Sequence, residues 1–341
     1  MKVGLIEKPG VLKLVEREEP KIVNPTDVKI KVKRVGICGS DVHVLHGTNA
    51  FAVYPLVWGH EVTGEVVEVG RDVTKVKPGD HIVVEPIRYC GECYACRHGR
   101  HNACHTLKVM GAHIDGGAQE YYVLPERNAF IVPKELPWDH TVLVEPFTIG
   151  AQACYRGQVQ PGDVVFVMGA GTIGLTVMVN AKILGATVII SDIFDDKLAY
   201  AKEIGADHTI NAKEVDIVEK IKELTDGYGA NVVVDAVCSV ESFEQAIDCA
   251  GAAGRIVEMS FNQNPSAIKP VKLAAKELTV LGSRHQTYRF APVIEYLKEG
   301  KLPVEGFVTA AYPLEEMTEA FEYIDNNSAL VRKIIVNFDK E

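Results

Sequence analysis

Residues 164–174 read VVFVMGAGTIG, and this stretch decides the fold class. An apolar run, typical of a buried strand, ends at the first glycine, and a helical pattern begins at the last one. Glycines at this spacing permit a tight turn, close approach to a pyrophosphate and close helix–strand packing, and the helix N-terminus attracts the phosphates. The motif therefore predicts dinucleotide binding by Gly169, Gly171, Thr172, Ile173 and Gly174.

The sequence downstream of this motif continues in the same rhythm. Apolar stretches such as ATVIISD, NVVVDAV, RIVEMSF and LTVLGS alternate with helical patterns, which predicts an α/β fold with a doubly wound parallel sheet. Asp192 ends the strand that follows the motif. In dinucleotide-binding domains, an acid ~20 residues after the glycine motif binds the ribose 2'-hydroxyl, and Asp192 lies close to that position. An acid repels a 2'-phosphate, and Ile193 and Phe194 supply no cation, so NAD is favoured over NADP.

The sequence upstream of the motif has a different character. As far as Phe147, short alternating stretches between Gly, Pro and Asp predict an irregular β-rich domain or a small barrel. After Arg284 come two amphipathic helical patterns, 290–300 and 314–324, and the strand pattern RKIIVNF. From the sequence alone, these elements either extend the nucleotide domain or return to pair with the first domain.

Composition limits the function classes. The chain has 341 residues, 47% hydrophobic and 24% charged, with a net charge of -10, which is typical of a two-domain globular protein and disfavours nucleic-acid binding. It lacks a long apolar segment, and residues 1–9 carry charges, so we expect a cytoplasmic protein that binds a small molecule and not a membrane. Its eight cysteines are then expected to be thiols or metal ligands.

Four of the cysteines form a compact pattern. Cys90, Cys93, Cys96 and Cys104 lie in one short loop rich in Gly and charged residues. Four thiolates at this spacing fill the tetrahedral coordination of Zn2+, which leaves no open position for a substrate. The pattern predicts a structural zinc, with buried thiols or a disulfide as the less favoured interpretation.

A second group of potential ligands lies outside this loop. Cys38 ends a strand in GICGSDVH, and His60 and Glu61 stand in GHEVTGEVVEVG. Thiolate, imidazole and carboxylate together suit a zinc with an open position, and Asp41 is a candidate to hold the other ring nitrogen of His60. Glu145, an acid within the apolar run VLVEPF, is a candidate third or fourth ligand. Taken singly, such residues are more often a core thiol or a satisfied polar pair than metal ligands, and it is their joint pattern that favours a metal site.

The motifs together resemble the zinc-containing medium-chain dehydrogenases, which include alcohol, sorbitol and threonine dehydrogenases. GHEVTGEVVEVG, KPGDHIVVEP, CGECYACRHGRHNAC, GAGTIG and LVRKIIVNF occur in the order found in that family. The resemblance implies a GroES-like catalytic domain formed by residues 1–146 and 285–341, with a structural zinc lobe at 88–105. A Rossmann domain that binds NAD would occupy residues 147–284.

The resemblance also implies roles for individual residues. Cys38, His60 and Glu61 match the catalytic zinc segment, and Glu145 matches the acid of the polyol-type branch. Ser40 and His43 match the proton-relay positions, so the catalytic residues would be Ser40, His43 and Glu61. Two zinc ions per chain are implied, one catalytic and one structural. Zinc would lower the pKa of the substrate hydroxyl before hydride transfer to the nicotinamide.

Within the family, the likeness is strongest to bacterial L-gulonate and L-galactonate 5-dehydrogenases and a starvation-sensing relative, through ICGSDVH, NAFAVYPLVWGHE, MGAHIDGGAQEY and VEPFTIGA. A hexonate needs a cation for its carboxylate, and Arg284 is the first candidate, although an ion pair at the domain junction is an equal alternative. His113 is a second candidate substrate contact.

Threonine or simple-alcohol oxidation is the alternative activity. A non-enzymatic nucleotide-binding protein is disfavoured because every ligand position is filled. A homodimer or homotetramer is expected.

Overall fold

The structure is a computed structural model that describes residues 1–339. Its strands are Lys2–Lys8 (β1), Val11–Glu16 (β2), Asp27–Ile37 (β3), Leu56–Val57 (β4), Glu61–Val69 (β5), His81–Val84 (β6), Ile87–Arg88 (β7), Lys108–Val109 (β8), Tyr121–Pro125 (β9), Ala129–Val132 (β10), Val164–Met168 (β11), Thr187–Asp192 (β12), His208–Asn211 (β13), Ala230–Asp235 (β14), Ala250–Glu258 (β15), Thr279–Gly282 (β16), Val308–Pro313 (β17) and Lys333–Asn337 (β18). Its α-helices are Gly39–Leu45 (α1), Tyr94–Arg97 (α2), Trp138–Thr141 (α3), Val144–Arg156 (α4), Thr172–Ile183 (α5), Asp195–Glu203 (α6), Ile217–Leu224 (α7), Val240–Cys249 (α8), Pro270–Ala274 (α9), Phe290–Lys298 (α10) and Met317–Asn326 (α11). Short 3-10 turns span His101–Ala103, Glu126–Asn128 and Leu314–Glu316.

The chain divides into two compact units. Unit 1 contains Met1–Glu145, Phe290–Gly300 and the chain from Val304 onward, whereas unit 2 contains Pro146–Arg289 and Lys301–Pro303. The final positions of the predicted segment 285–341, residues 340 and 341, lie outside the described part of the chain.

Unit 1 is built mainly from antiparallel strands. Seven strands form its main sheet in the order β10-β6-β5-β3-β18-β17, with β9 also paired to β3, and a second sheet has the order β2-β1-β4. Alternating apolar residues from these strands form one core, in which Trp58 packs edge-on against Phe321. Because β18 pairs with β3 and β17 with β18, the elements after Arg284 return to the first domain. This pairing decides between the two alternatives that the sequence left open.

Unit 2 is a doubly wound α/β sheet. Its six parallel strands have the order β13-β12-β11-β14-β15-β16, and the order reverses beside β11. The strand VVFVM of β11 is apolar at successive positions because helices cover both faces of such a sheet. The predicted fold class, a GroES-like β-rich domain with a Rossmann sheet, is confirmed.

Within residues 1–339, every helix is too short or too polar to cross a bilayer.

Candidate metal and dinucleotide sites

Two neighbouring strands of unit 1 bring the predicted ligands of the open metal site together. Cys38 follows the end of β3, and Glu61 begins β5, directly after His60. One ligand atom from each of these three residues lies within 4.8 Å of the others. The antiparallel pairing of β3 with β5 makes Gly36 the cross-strand partner of Glu61, which places the two strand ends side by side.

Asp41 connects the segments that carry Cys38 and His60. Its carboxylate accepts the backbone N–H of Cys38 at 2.9 Å and that of Gly59 at 3.2 Å. The same carboxylate lies 3.4 Å from Nδ1 of His60. Burial lowers the pKa of His60, but Asp41 and Cys38 outweigh burial and raise that pKa well above its usual value. Asp41 therefore orients the imidazole as a carboxylate does behind a metal-bound histidine.

Lys333 is a member of this site that the sequence analysis missed. It begins β18, is 2% exposed, and its Nζ lies 2.6 Å from Oε1 of Glu61 and 3.1 Å from the carbonyl oxygen of Ile37. Burial lowers the pKa of Lys333, while Glu61 and Cys38 outweigh burial and raise it. The available signal was a single cation at the start of the apolar strand KIIVN, where a buried charge requires a partner.

The chemistry of the donor set fits a divalent cation. Oε2 of Glu61 is buried without a hydrogen-bond partner, and a Cβ on Gly36 would stand 2.0 Å from it, so the backbone leaves room for this oxygen. Glu145, in the first turn of α4, is also buried, and burial raises its pKa to about 7. The carboxyl groups of Glu61 and Glu145 both interact with the buried ammonium group of Lys333, and the charge of Asp41 adds to that of Glu61 at Glu145. A cation bound among them would compensate this excess of negative charge.

Ser40 and His43 lie on α1, next to the Cys38 end of the helix. They are three residues apart, so they lie on the same side of the helix, and both are more exposed than the buried Asp41. Nδ1 of His43 is 2.9 Å from the hydroxyl oxygen of Thr48. A hydroxyl and an imidazole thus share one face of the helix that Cys38 precedes, and both groups can hold or pass a proton.

Two loops of unit 1 meet beside the His60 segment. The N–H of Val53 donates to the carbonyl of Ala112 at 3.1 Å, and the rings of Phe51 and His113 lie 5.7 Å apart. His113 accepts the N–H of Val109 through Nδ1 at 3.3 Å. In the same loop, Gly111 packs against the backbone of Gly59, the residue before His60. The rings of Phe51 and His113 thus lie together on two loops, one of which packs against the residue before His60.

The four-cysteine lobe has the geometry of a tetrahedral zinc site. Its sulfur–sulfur separations are 3.5 Å for Cys93–Cys96 and Cys90–Cys104, 3.9 Å for Cys93–Cys104 and 4.0 Å for Cys90–Cys96. Zinc–sulfur bonds of ~2.3 Å in a tetrahedron require edges of ~3.8 Å. The coordinates thus fit one zinc held by four sulfurs, as predicted for a structural site.

The dinucleotide fingerprint of unit 2 has the required backbone. Gly169 has φ +93°, and a Cβ on Gly174 would stand 1.8 Å from the carbonyl oxygen of Gly169, so both positions require glycine. Helix α5 starts after Gly171, which has no side chain to cap it, whereas Asp216 and Ser239 cap α7 and α8. The turn is therefore shaped to receive an anion at the N-terminus of α5, where Thr172 and Ile173 form the first turn.

Asp192 ends β12 at the same edge of the sheet. Its Oδ2 accepts the N–H of Ala170 at 2.8 Å, and its Oδ1 accepts the N–H groups of Ile193 and Phe194. These bonds fix the carboxylate beside the fingerprint turn. Nearby, the ammonium groups of Lys197 and Lys213 lie 5.3 and 5.2 Å from the ring centre of Phe194, two cations that the sequence analysis did not consider.

Arg284, the first candidate for a substrate carboxylate, lies in unit 2 just after β16. It is half-buried, and its guanidinium carbon lies 5.8 Å from the ring centre of Phe261. Burial lowers the pKa of Arg284.

The chain is similar to known dehydrogenases along its whole length. Residues 24–134 match the model of the alcohol dehydrogenase GroES-like domain, and residues 172–299 match that of zinc-binding dehydrogenases. The starvation-sensing protein RspB of Escherichia coli K12 is 37% identical over all of both chains. The L-galactonate-5-dehydrogenase of the same strain is 32% identical over 98% of each. An alcohol dehydrogenase structure (rspB, E. coli CFT073), solved with NADH, superposes with a TM-score of 0.94 at 36% identity, covering 99% of each chain.

The chain belongs to the zinc-dependent medium-chain dehydrogenases, the family of alcohol and polyol dehydrogenases. The predicted enzyme class, together with zinc and a nicotinamide dinucleotide as its cofactors, is confirmed at the level of this family.

Proposed function

We propose that the enzyme oxidises a secondary hydroxyl of a sugar acid, a hexonate such as L-gulonate or L-galactonate, or of a polyol, to the ketone with NAD+. The observation that carries this proposal is the donor set of Cys38, His60 and Glu61, in which Glu61 is buried and the other two are partly buried, with the buried Glu145 close by. The hydroxyl of Ser40 and the imidazole of His43 lie on the helix that follows Cys38. The 32% identity to an L-galactonate-5-dehydrogenase over nearly the whole chain supports the sugar-acid substrate.

In this proposal, each residue of the site has one task. Cys38, His60, Glu61 and Glu145 hold the catalytic zinc, and Asp41 orients His60. Zinc, when bound, supplies a Lewis acid that lowers the pKa of the substrate hydroxyl. Ser40 and His43 receive and pass on the proton that this hydroxyl loses. Cys90, Cys93, Cys96 and Cys104 hold the structural zinc.

The cofactor preference is proposed from unit 2. Gly169, Gly171 and Gly174 shape the turn that receives the pyrophosphate, and the fixed carboxylate of Asp192 accepts the ribose hydroxyls and disfavours a 2'-phosphate. The ammonium groups of Lys197 and Lys213, near Asp192 in this unit, lie over the ring of Phe194.

The substrate proposal assigns Arg284 to the carboxylate and His113 to a hydroxyl. The test compares kcat/KM for L-galactonate with that for galactitol, which carries a hydroxymethyl group in place of the carboxylate. With Arg284→Met, we expect kcat/KM for the hexonate to fall by about 10- to 100-fold, the effect of losing a hydrogen bond to a charged group. The value for galactitol should stay within about threefold.

Other outcomes of the same screen would contradict the proposal. L-Threonine and 2,3-butanediol serve as the competing substrates, because an L-threonine 3-dehydrogenase is 35% identical to this chain. If either is oxidised at least tenfold more efficiently than any hexonate or hexitol, the sugar-acid and polyol assignment is wrong. Arg284→Lys is the matched control, since it keeps the charge but loses the planar fork.

We further propose a homodimer or homotetramer that joins at the edge strand β16. Thr279, Val280 and Gly282 of this strand are exposed, and among the described strands β16 pairs with β15 alone. An open edge of this kind is a ready surface for strand pairing across a two-fold axis. Size-exclusion chromatography with light scattering tests the assembly, and Val280→Lys should shift it towards the monomer. The cytoplasmic location stays a prediction.

A further inference from the structure

Two acidic residues end neighbouring strands of the parallel sheet, on the side of the fingerprint turn away from Asp192. Asp235 ends β14 and Glu258 ends β15, and the two are partners in the strand register. Asp235 is fully buried and satisfied: its Oδ1 accepts the N–H groups of Val237 and Cys238, and its Oδ2 accepts the hydroxyl of Ser242 at 2.6 Å. Asp235 therefore has a structural role.

Glu258 differs from Asp235 in having an unsatisfied oxygen. Its Oε1 accepts the N–H of Ser260 at 2.7 Å, whereas its Oε2 is buried without a hydrogen-bond partner. Burial raises the pKa of Glu258 to about 7, and the charge of Asp235 adds to this effect. A carboxylate held in this way destabilises the protein unless it interacts with something else. The folded protein alone does not explain why an acid stands here.

The position of Glu258 within the dinucleotide fold indicates what that interaction is. A doubly wound sheet consists of two mononucleotide-binding halves, and the ligand lies across the carboxyl ends of the strands where the order reverses. Asp192 on β12 marks the adenosine half, so the nicotinamide half belongs to the side of β14, β15 and β16. Glu258 ends the middle strand of that second half.

A chain of contacts connects Glu258 with the fingerprint turn. A Cβ on Gly169 would stand 3.2 Å from Val237, so the segment after β14 packs against the turn. The next residue, Cys238, accepts the hydroxyl of Ser260 through its carbonyl oxygen at 3.1 Å. Ser260 in turn donates its N–H to Glu258. The carboxylate thus lies on the same edge as the turn that receives the pyrophosphate.

The charge of the nicotinamide ring depends on its redox state. The ring is a cation in NAD+ and neutral in NADH, so a fixed carboxylate beside it favours the oxidised form. We infer that Glu258 is a specificity-determining residue that strengthens the binding of NAD+ relative to NADH through its negative charge. This inference rests on dinucleotide binding by unit 2 and is independent of the substrate.

Among the acidic groups around Glu258 within residues 1–339, only Glu258 itself can supply the negative charge beside the nicotinamide ring. Asp235 is enclosed by its three donors. Burial, together with the charges of Asp235 and Glu258, raises the pKa of the Cys238 thiol to about 12, so this thiol is neutral at neutral pH. Arg284 follows the neighbouring strand β16 and is a cation at this edge, with its guanidinium over the ring of Phe261. An opposing cation reduces the effect of Glu258 without reversing its sign.

The test measures cofactor binding and not turnover. Dissociation constants for NAD+ and NADH are determined at pH 8, above the pKa of about 7 of the Glu258 carboxyl group, by calorimetry and by NADH fluorescence. For Glu258→Gln we expect NAD+ to bind about five- to tenfold more weakly, the order expected for one charge pair at a partly solvated sheet edge. NADH binding should change by less than twofold. Glu241→Gln removes an exposed acid from the first turn of α8 and is the matched control.

The conservative variant separates charge from packing. Glu258→Asp keeps the charge and should keep the ratio of the two dissociation constants within about twofold of the wild-type ratio. If Glu258→Gln weakens NAD+ and NADH equally, or leaves both unchanged, the inference is wrong. If Glu258→Asp loses the preference as fully as Glu258→Gln, shape and not charge carries the effect, which also overturns it. None of these outcomes depends on which alcohol the enzyme oxidises.

Discussion

The buried ion pair between Lys333 and Glu61 gives a quantitative prediction for unit 1. Lys333→Met removes the ammonium group that lies 2.6 Å from Glu61 and leaves a carboxylate, 1% exposed, without its cation. Loss of one partner of a buried ion pair costs about 3–5 kcal/mol of folding free energy, because the remaining charge stays desolvated. We therefore expect the free energy of unfolding of unit 1 to fall by this amount.

A double-mutant cycle identifies the source of this loss. In Glu61→Gln/Lys333→Met, neither charge of this pair remains, so the double variant should regain about 2 kcal/mol relative to Lys333→Met alone. The single variant Glu61→Gln corrects for any change in zinc content, which metal analysis monitors in every variant. Lys134→Met, at an exposed position, is the control for a change of lysine to methionine.

The assay takes advantage of the positions of the tryptophans. The chain contains two, Trp58 and Trp138, and both lie in unit 1, so tryptophan fluorescence during urea unfolding reports on this unit. The reasoning is refuted if Lys333→Met lies within about 1 kcal/mol of the wild type. It is equally refuted if the two substitutions are additive, since a coupled pair must show a coupling energy.

Three further predictions concern the structural zinc and the dinucleotide turn. Cys90→Ser should reduce the zinc content from two ions to one per chain and lower the unfolding temperature, whereas Cys238→Ser should retain both ions; a variant of Cys90 that keeps two ions would contradict the four-sulfur site. Asp192→Asn keeps the shape of the side chain and its polar atoms but removes the negative charge. The ratio of kcat/KM for NADP+ to kcat/KM for NAD+ should therefore rise at least ~10-fold. An unchanged ratio would exclude charge as the basis of the cofactor preference. Gly174→Ala places a methyl group against the carbonyl of Gly169 and should weaken NADH binding by at least ~10-fold in a fluorescence titration, with both zinc ions retained; wild-type affinity would show that this close approach is not required.

The parts of the fold that follow from local patterns could be predicted from the sequence. The glycine motif with an apolar strand before it and a helix after it specifies a strand–turn–helix unit on its own, and residues 164–174 form β11, the turn and the start of α5. The four cysteines lie close together in sequence, so their spacing alone indicated that the sulfurs meet. In both cases the interacting residues are near neighbours along the chain.

Long-range pairing could not be predicted in the same way. The hydrophobic pattern of RKIIVNF alone does not decide where this segment belongs, because an apolar strand is compatible with either sheet, and its pairing with β3 depends on the tertiary fold. Only the resemblance to the dehydrogenase family assigned it to the first domain. The partner of Lys333 was missed for the same reason. Lys333 on β18 and Glu61 on β5 are separated by strand β3 in the sheet and by 272 positions in the sequence. The role of Glu258 also depends on strand order, which places it beside Asp235.

The late position of Lys333 in the chain has a consequence for biosynthesis. The ribosome completes all six strands of unit 2 before β17 and β18 emerge, so the dinucleotide domain can fold while unit 1 still lacks the strand that pairs with β3. Until Lys333 arrives, the nascent first domain contains the acids of the metal site without their ammonium partner. The cluster of Cys38, His60 and Glu61 therefore acquires its ammonium partner only when β18 has been made, and a chain that stops after unit 2 has a dinucleotide-type fold and an incomplete first domain.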